Sequence, residues 1–343
     1  MVTLKDIAKT VGVSVRAVSY AVNGGGHLSK DTRDRIMDEV RRSGYVPNVA
    51  ARSLVTQKSG LIGVLLPFLH TSFYSRIIAG LEKAVQKYGY TLLLMNMPEH
   101  SERYTTVYRQ MMQHKIDGLV LNPSVGVQAE AELIRNSRIP TVQLMNHVDE
   151  IGSYYVNVGN YAAGEKAAVA LFKSGCRRIA MLAHNNISAE MTERSAGFLA
   201  ATGELQPEYV PQVIDCEVSA DDAEKKMRQL LLEHPETDAV FAASDYAAFG
   251  AAKAVLSMGR KIPDEFSIIG FDDISLASDQ LLYPFSTISQ PKEEIGWIAG
   301  QMVVDLINGK MPECCTLEAS LILRSTTRNA GLETEITKNF RRR

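Results

Sequence analysis

The sequence predicts an α/β chain in which a small all-α head precedes a two-lobed body with parallel sheets. Three observations carry this reading. The first 47 residues resolve into short helical patterns punctuated by turn residues. From Leu61 onward, apolar runs of four to six residues alternate with amphipathic stretches. That alternation breaks near Ser153–Asn160 and then begins again, which divides the body in two.

The head is read element by element. Thr3 stands where a first helix needs an N-cap oxygen, with Asp6 three residues on in the place of a capping-box acid. Gly12 supplies the residue without a Cβ that a tight interhelical turn requires. Ser14 can cap a second helix. Ile7, Ala8, Val13, Val18 and Val22 are the expected apolar core between the two. This is helix-turn-helix spacing, in which the second helix enters the major groove by its N-terminal end. A third helix is capped by Ser29 and closed by Gly44, with Ile36 and Val40 on one face. Gly24-Gly25-Gly26 lies between helices and follows no strand, so it reads as a flexible loop. After the third helix comes Pro47-Asn48-Val49-Ala50-Ala51-Arg52-Ser53-Leu54. Asn48 can cap a helix there, but one so short is marginal alone in water. It is expected to form against DNA and a partner chain.

The helix-turn-helix spacing and the Pro-Asn-x-x-Ala-Arg-x-Leu run resemble the head and hinge helix of the LacI/GalR family of bacterial transcription regulators. The resemblance extends to about residue 331 and implies a periplasmic-binding-protein-like core. Its strongest body matches are Asp238-Ala239-Val240-Phe241-Ala242-Ala243-Ser244-Asp245 and Ile268-Ile269-Gly270-Phe271-Asp272-Asp273.

Within the body, the expected strands are 61–66, 91–95, 118–121, 141–145, 179–183, 239–243 and 267–271. Between them, Ile77, Ile78, Leu81 and Val85 make one helical stripe that faces a sheet. Short apolar strands separated by helices imply parallel sheets covered on both faces. The expected domains are 1–47 for the head, 48–58 for hinge and linker, and 59–331 for the body. Lobe 1 takes about 59–157 and 290–320; lobe 2 takes about 158–289 and 321–331. The tail, 332–343, has no heptad repeat and offers no coiled coil.

Composition bounds the function. The net charge of −2 hides an asymmetry: ten Lys and Arg face five Asp and Glu up to Lys58, leaving 27 against 34 in the remainder. A basic head on an acidic body suits a protein whose head alone touches phosphates. No apolar h-region opens the chain and no run approaches the roughly 18 residues of a membrane span. A cytoplasmic, nucleoid-associated protein is expected. Cys176, Cys216, Cys314 and Cys315 have neither metal-ligand nor disulfide-framework spacing, so no metal and no cofactor is expected.

The resemblance implies the partners: a double-stranded pseudo-palindromic operator, a second copy of the chain, and a small-molecule effector. Recognition falls to Val15, Arg16, Ala17, Ser19, Tyr20 and Asn23 on the second helix, with Thr3, Leu4, Ser14, Ser29 and Thr32 at helix starts facing phosphates. Arg16 can fork onto guanine O6 and N7 or contact a phosphate. Tyr20 departs from the arginine common at its place; it can pack on a thymine methyl or bond a phosphate. Asn48, Ala51 and Leu54 belong to the hinge, with Leu54 wedging between base pairs from the minor groove.

In the interlobe cleft the implied effector-binding set is Ser72, Phe73, Tyr74, Asn146, Arg194, Ser244, Asp245 and Asp272. Asp245 has the alternative of simply capping its helix. Met145-Asn146 stands where relatives often carry Asp-Arg, and Gly159-Asn160 where they often carry Asp-Asn. These changes turn the expected effector from a standard hexose toward a different or modified sugar or another metabolite.

The resulting expectation is a ligand-responsive regulator, a repressor, and not an enzyme. The alternative is a cleft-based sugar-processing enzyme with a DNA-binding head. It would need two carboxyls about 5–9 Å apart across a scissile bond, and the adjacent Asp272 and Asp273 make a poor pair. No Walker loop, nucleophile elbow or zinc motif appears.

Overall fold

The structure, a computed structural model, describes residues 2–23, 26–45, 58–69, 71–97, 104–123, 128–184, 189–274 and 284–328. Asn48, Ala51 and Leu54 lie outside the described residues. The chain divides into two compact units, Met1–Ser59 and Gly60–Arg343.

The first unit is three helices, α1 (Leu4–Val11), α2 (Val15–Asn23) and α3 (Lys30–Ser43). Local chemistry sets each boundary. Thr3 accepts from the Asp6 amide while the Asp6 carboxylate accepts from the Thr3 amide at 2.9 Å, which closes a capping box. Gly12 ends α1 in the left-handed region at φ 74°. Ser14 accepts from the Ala17 amide at 3.1 Å, and Ser29 from that of Thr32 at 3.2 Å. Ile7, Ala8, Val18, Ala21 and Ile36 form the core. Val13 and Val22, expected inside, pack half-buried at its edge, because Ala21 and Ile36 fill the centre.

The second unit holds two six-stranded sheets. The first contains β1 (Leu61–Pro67), β2 (Thr91–Met97), β3 (Gly118–Leu121), β4 (Thr141–Leu144), β5 (Tyr155–Val158) and β11 (Cys315–Leu317), in the order β11-β5-β4-β3-β1-β2. The second contains β6 (Ile179–Ala183), β7 (Val213–Asp215), β8 (Ala239–Ala242), β9 (Ser267–Phe271), β10 (Ser286–Ser289) and β12 (Ser320–Ile322), in the order β12-β10-β9-β8-β6-β7. Every pairing is parallel except β10 with β12. β3, β6, β8 and β9 are buried along their whole length, as strands covered on both faces must be.

The helices are α4 (Ser72–Gln86), α5 (Tyr104–Gln113), α6 (Gln128–Ser137), α7 (Asn160–Lys173), α8 (Ala189–Leu205), α9 (Ala220–Glu233), α10 (Asp245–Ser257) and α11 (Lys292–Ile307). The Ile77, Leu81 and Val85 stripe of α4 is fully buried, and Ile78 packs half-buried beside it. Strand order shows where the chain changes sheets: after β5, after β10, and between β11 and β12. α11 packs on α4 and the first sheet, whereas α7 packs on α8 and the second. A paired device repeats in the two lobes. Added Cβ atoms on Gly80 and Gly296 would meet the Glu293 and Ile77 carbonyls at 2.0 and 1.9 Å; on Gly164 and Gly197 they would meet those of Arg194 and Tyr161 at 2.0 and 1.9 Å. Each lobe therefore brings one helix pair to backbone contact through facing glycines.

Candidate functional site

On the head, α2 presents Val15, 41% exposed, with Arg16 exposed beside it and Ala17, Ser19 and Tyr20 half-buried. Asn23 is the last residue of this helix. Arg16 and Tyr20, one turn apart, are joined: Arg16 Nε donates to the Tyr20 hydroxyl at 2.7 Å. Thr3, Ser14 and Ser29 are spent as caps, and the Thr32 hydroxyl lies 2.8 Å from that of Ser29. Leu4 starts α1, half-buried against the core. The capped ends still aim backbone amides outward, the arrangement that binds phosphate.

In the body, a polar cluster gathers at the carboxyl ends of the strands, where the chain changes lobes. Its centre is Arg194 of α8, 3% exposed. Arg194 Nε and Nη2 donate to Asn160 Oδ1 at 3.2 and 2.8 Å, and Nη1 donates to the Ala243 carbonyl. Among the described residues, three of the five guanidinium N–H groups are thereby used. Phe271, the end of β9, lies face-on beneath it. Burial lowers the Arg194 pKa to about 10, against the Asp272 and Glu190 charges that favour the cation.

Asp272 follows Phe271 at φ 104°, a strained backbone for a residue with a Cβ. Its Oδ1 accepts from Gln290 Nε2 at 2.7 Å, and its carbonyl accepts from Lys292 Nζ. Burial raises its carboxyl to about 6, with Arg194, Gln290 and Lys292 pulling the other way. Among the described residues, the Gln290 Oε1 and Ser72 Oγ atoms are buried with no partner. A buried acceptor without a donor, such as Gln290 Oε1, is what a bound polar ligand would satisfy. A cavity of about 190 Å³ opens beside Gln290, lined also by Arg76, Asp273, Ser289 and Lys292 among others.

The first lobe contributes Tyr74, whose hydroxyl meets the Asn122 side chain at 2.8 Å, and Asn146, which reaches Asn122 at 3.1 Å. Burial pushes the Tyr74 phenol well up, helped by the Asp272 and Glu190 charges after the Asn122 bond opposes it. Phe73 stands edge-on to Tyr74 at 5.0 Å, with Lys292 Nζ 6.0 Å above its ring.

Asp245 and Ser244 are placed differently. Asp245 Oδ2 accepts from the Ile274 amide at 2.7 Å and Oδ1 from Thr287 Oγ1 at 2.8 Å, so its carboxylate braces the β9 and β10 ends. Burial, then the Asp272 charge, raises it to about 7. Ser244 accepts from the Ala247 amide at 3.2 Å as the cap of α10, and meets the buried His184 at 2.9 Å. Asp273, half-buried, pairs with Arg324 at 2.7 Å; that pairing outweighs burial and lowers its pKa.

Sequence reasoning passed over Gln290, Lys292 and Phe271, and named Asn160 only as a departure. Gln290-Pro291-Lys292 carried one signal, a proline opening a helix. Among the described residues no three His, Cys, Asp or Glu are placed to hold a metal ion, and no helix is long and apolar enough to cross a membrane.

A helix-turn-helix head and a two-lobed body with a polar interlobe cleft define a DNA-binding regulator with a small-molecule domain. The chain belongs to the LacI family of bacterial regulatory proteins. The profile of the LacI family regulatory proteins matches residues 3–48, and that of periplasmic binding proteins and the sugar binding domain of the LacI family matches 59–330. The ribose operon repressor of Halalkalibacterium halodurans is 32% identical over 330 residues, 96% of this chain and 98% of that one. The transcriptional repressor PurR of Erwinia tasmaniensis is 29% identical, covering 93% and 94%. Among solved structures, the lac repressor dimer bound to operator and an anti-inducer superimposes with a TM-score of 0.85 at 25% identity, covering 95% and 99%. The family is one of transcriptional repressors, not enzymes.

Proposed function

We propose that this chain represses transcription as a homodimer on a two-fold symmetric operator, in the cytoplasm at the nucleoid, and that a pentose, ribose, binds its interlobe cleft and lowers operator affinity. The observation that carries the ligand reading is the Arg194 and Asp272 pair above and beside the Phe271 ring. A fork-shaped cation with donors beyond those bonded among the described residues, near a carboxylate acceptor, suits adjacent sugar hydroxyls. Ribose follows from the name of the 32%-identical relative.

The ligand-facing set is Ser72, Phe73, Asn146, Arg194, Asp272 and Gln290. Tyr74, Ser244 and Asp245 serve behind it, holding Asn122, His184 and the β9 and β10 ends. On DNA, Thr3, Leu4, Ser14, Ser29 and Thr32 position the head on phosphates, and Val15, Arg16, Ala17, Ser19, Tyr20 and Asn23 form the groove-facing helix. Asn48, Ala51 and Leu54 act at the hinge, with Leu54 as the wedge. Ligand that favours one lobe angle shifts the hinges, a coupling of about 1–3 kcal/mol.

The experiment is a thermal-shift titration of the full chain with ribose, glucose and galactose, paired with operator release. A ligand that binds only the folded state raises its melting temperature. Ribose is expected to raise it and to release selected DNA. A shift with a hexose and none with ribose would overturn the pentose assignment.

A further inference from the structure

We propose that Tyr20 is a positioning residue rather than a base reader: it holds Arg16 so that Arg16 alone selects a guanine. The inference rests on the operator-binding reading above and assigns the division of labour on its recognition helix. Two separate observations carry it. Arg16 Nε donates to the Tyr20 hydroxyl at 2.7 Å, with the guanidinium carbon 5.3 Å from the ring centroid. On its other side, the ring lies against the backbone of Gly26. A Cβ built on Gly26 would sit 2.2 Å from Tyr20 Cδ2 and 2.6 Å from Cγ. Gly26 is in the left-handed region at φ 67° as well, so side chains are disfavoured there twice over. The glycine thus makes the space into which the ring folds.

The consequence for DNA follows from donor bookkeeping. Guanidinium has five N–H donors in a rigid fork. With Nε taken by the phenol, the two terminal nitrogens remain, and two parallel donors match guanine O6 and N7. Pinning a long, flexible side chain before binding removes rotamer entropy that binding would otherwise cost. Lysine, a point charge without a fork, could not make this arrangement. The ring itself packs against Gly26, so its hydroxyl is committed to Arg16.

The test starts from the full-length protein and a randomised duplex library. Wild type should enrich half-sites with one fixed guanine, and 7-deazaguanine there, which lacks the N7 acceptor, should weaken binding about tenfold. Tyr20→Phe should cut discrimination for that guanine about five- to tenfold, with the slope of affinity against salt unchanged. In an Arg16→Ala background, Tyr20→Phe should have no further effect. Gly26→Ala should lose guanine selection as Tyr20→Phe does, and the two Tyr20 proteins should melt together, which sets misfolding aside. Equal guanine selection by wild type and Tyr20→Phe would overturn the pair. So would a further loss from Tyr20→Phe without Arg16, the result expected of a tyrosine that contacts DNA itself. A wild type that selects no sequence would overturn the operator reading, and this one with it.

Discussion

Arg194 lies face-on to Phe271, its guanidinium carbon 3.2 Å from the ring centroid. The ring and the Asn160 side chain fix the cation from two directions, so the remaining donors are aimed before any ligand arrives. A desolvated cation–π contact contributes about 2 kcal/mol. Phe271→Leu keeps an apolar side chain under Arg194 but removes the π face. It should weaken effector binding about tenfold in calorimetric titration and leave operator affinity without effector near wild type. An unchanged effector affinity would show that the hydrogen bonds to Asn160 and the Ala243 carbonyl orient the cation without the ring.

Asp245 should make folding stability pH-dependent in an unusual direction. Burial raises its folded value to about 7, above the roughly 3.9 of an unfolded chain. The folded state then holds a proton that the unfolded state releases. Its contribution is complete below about pH 4 and is lost as pH rises through about 7, at roughly 1.4 kcal/mol per unit. Asp245→Asn stays neutral throughout and can still meet Thr287 and accept from the Ile274 amide. Denaturant melts at pH 5 and 8 should show the variant gaining on wild type by on the order of 2–3 kcal/mol. Parallel profiles would contradict the account.

Asp272 should set the pH dependence of effector binding. Sugar hydroxyls donate, so the ionised carboxylate is the binding form, and burial has raised its value to about 6. Arg194 and Lys292 are the cations whose charges bear on it, and its own charge in turn raises Asp245, Tyr74 and Tyr246. Effector affinity should rise up to about tenfold per unit as pH climbs toward 6 and level off above 7. Asp272→Asn should bind more weakly at pH 7 and lose that slope.

The head was legible because its signals are local. Thr3, Gly12, Ser14, Ser29 and Gly44 each act within a few residues, so sequence spacing suffices to place them. The doubly buried strands were legible for a related reason, since burial on both faces leaves an unbroken apolar run. β7, β11 and β12 are three residues each and at most half-buried, so no run announces them. In the cleft, Arg194 and Asp272 were named from family motifs, and the structure brings them together. Gln290 and Lys292 were not, and Asn160 only as a departure, because their importance comes from where the chain changes lobes. Asp245 shows the same limit: only the fold reveals that Thr287 and Ile274 occupy both its oxygens.

The glycine crossings offer a way to separate stability from signalling. A Cβ on Gly164 would meet the Arg194 carbonyl at 2.0 Å, so Gly164→Ala must move α8 at the residue that centres the cleft. Overpacking of this kind costs about 1–3 kcal/mol, and here it should also displace Arg194 from Phe271. Gly300→Ala meets the Ala84 Cβ at 2.6 Å, two turns along α11 from Lys292, roughly 12 Å away along the helix axis. Both variants should lose stability in denaturant melts. Gly164→Ala alone should lose effector response in an operator-release titration at a temperature where both remain folded. If Gly300→Ala lost the response equally, general softening of the body, and not the placement of Arg194, would be the controlling quantity.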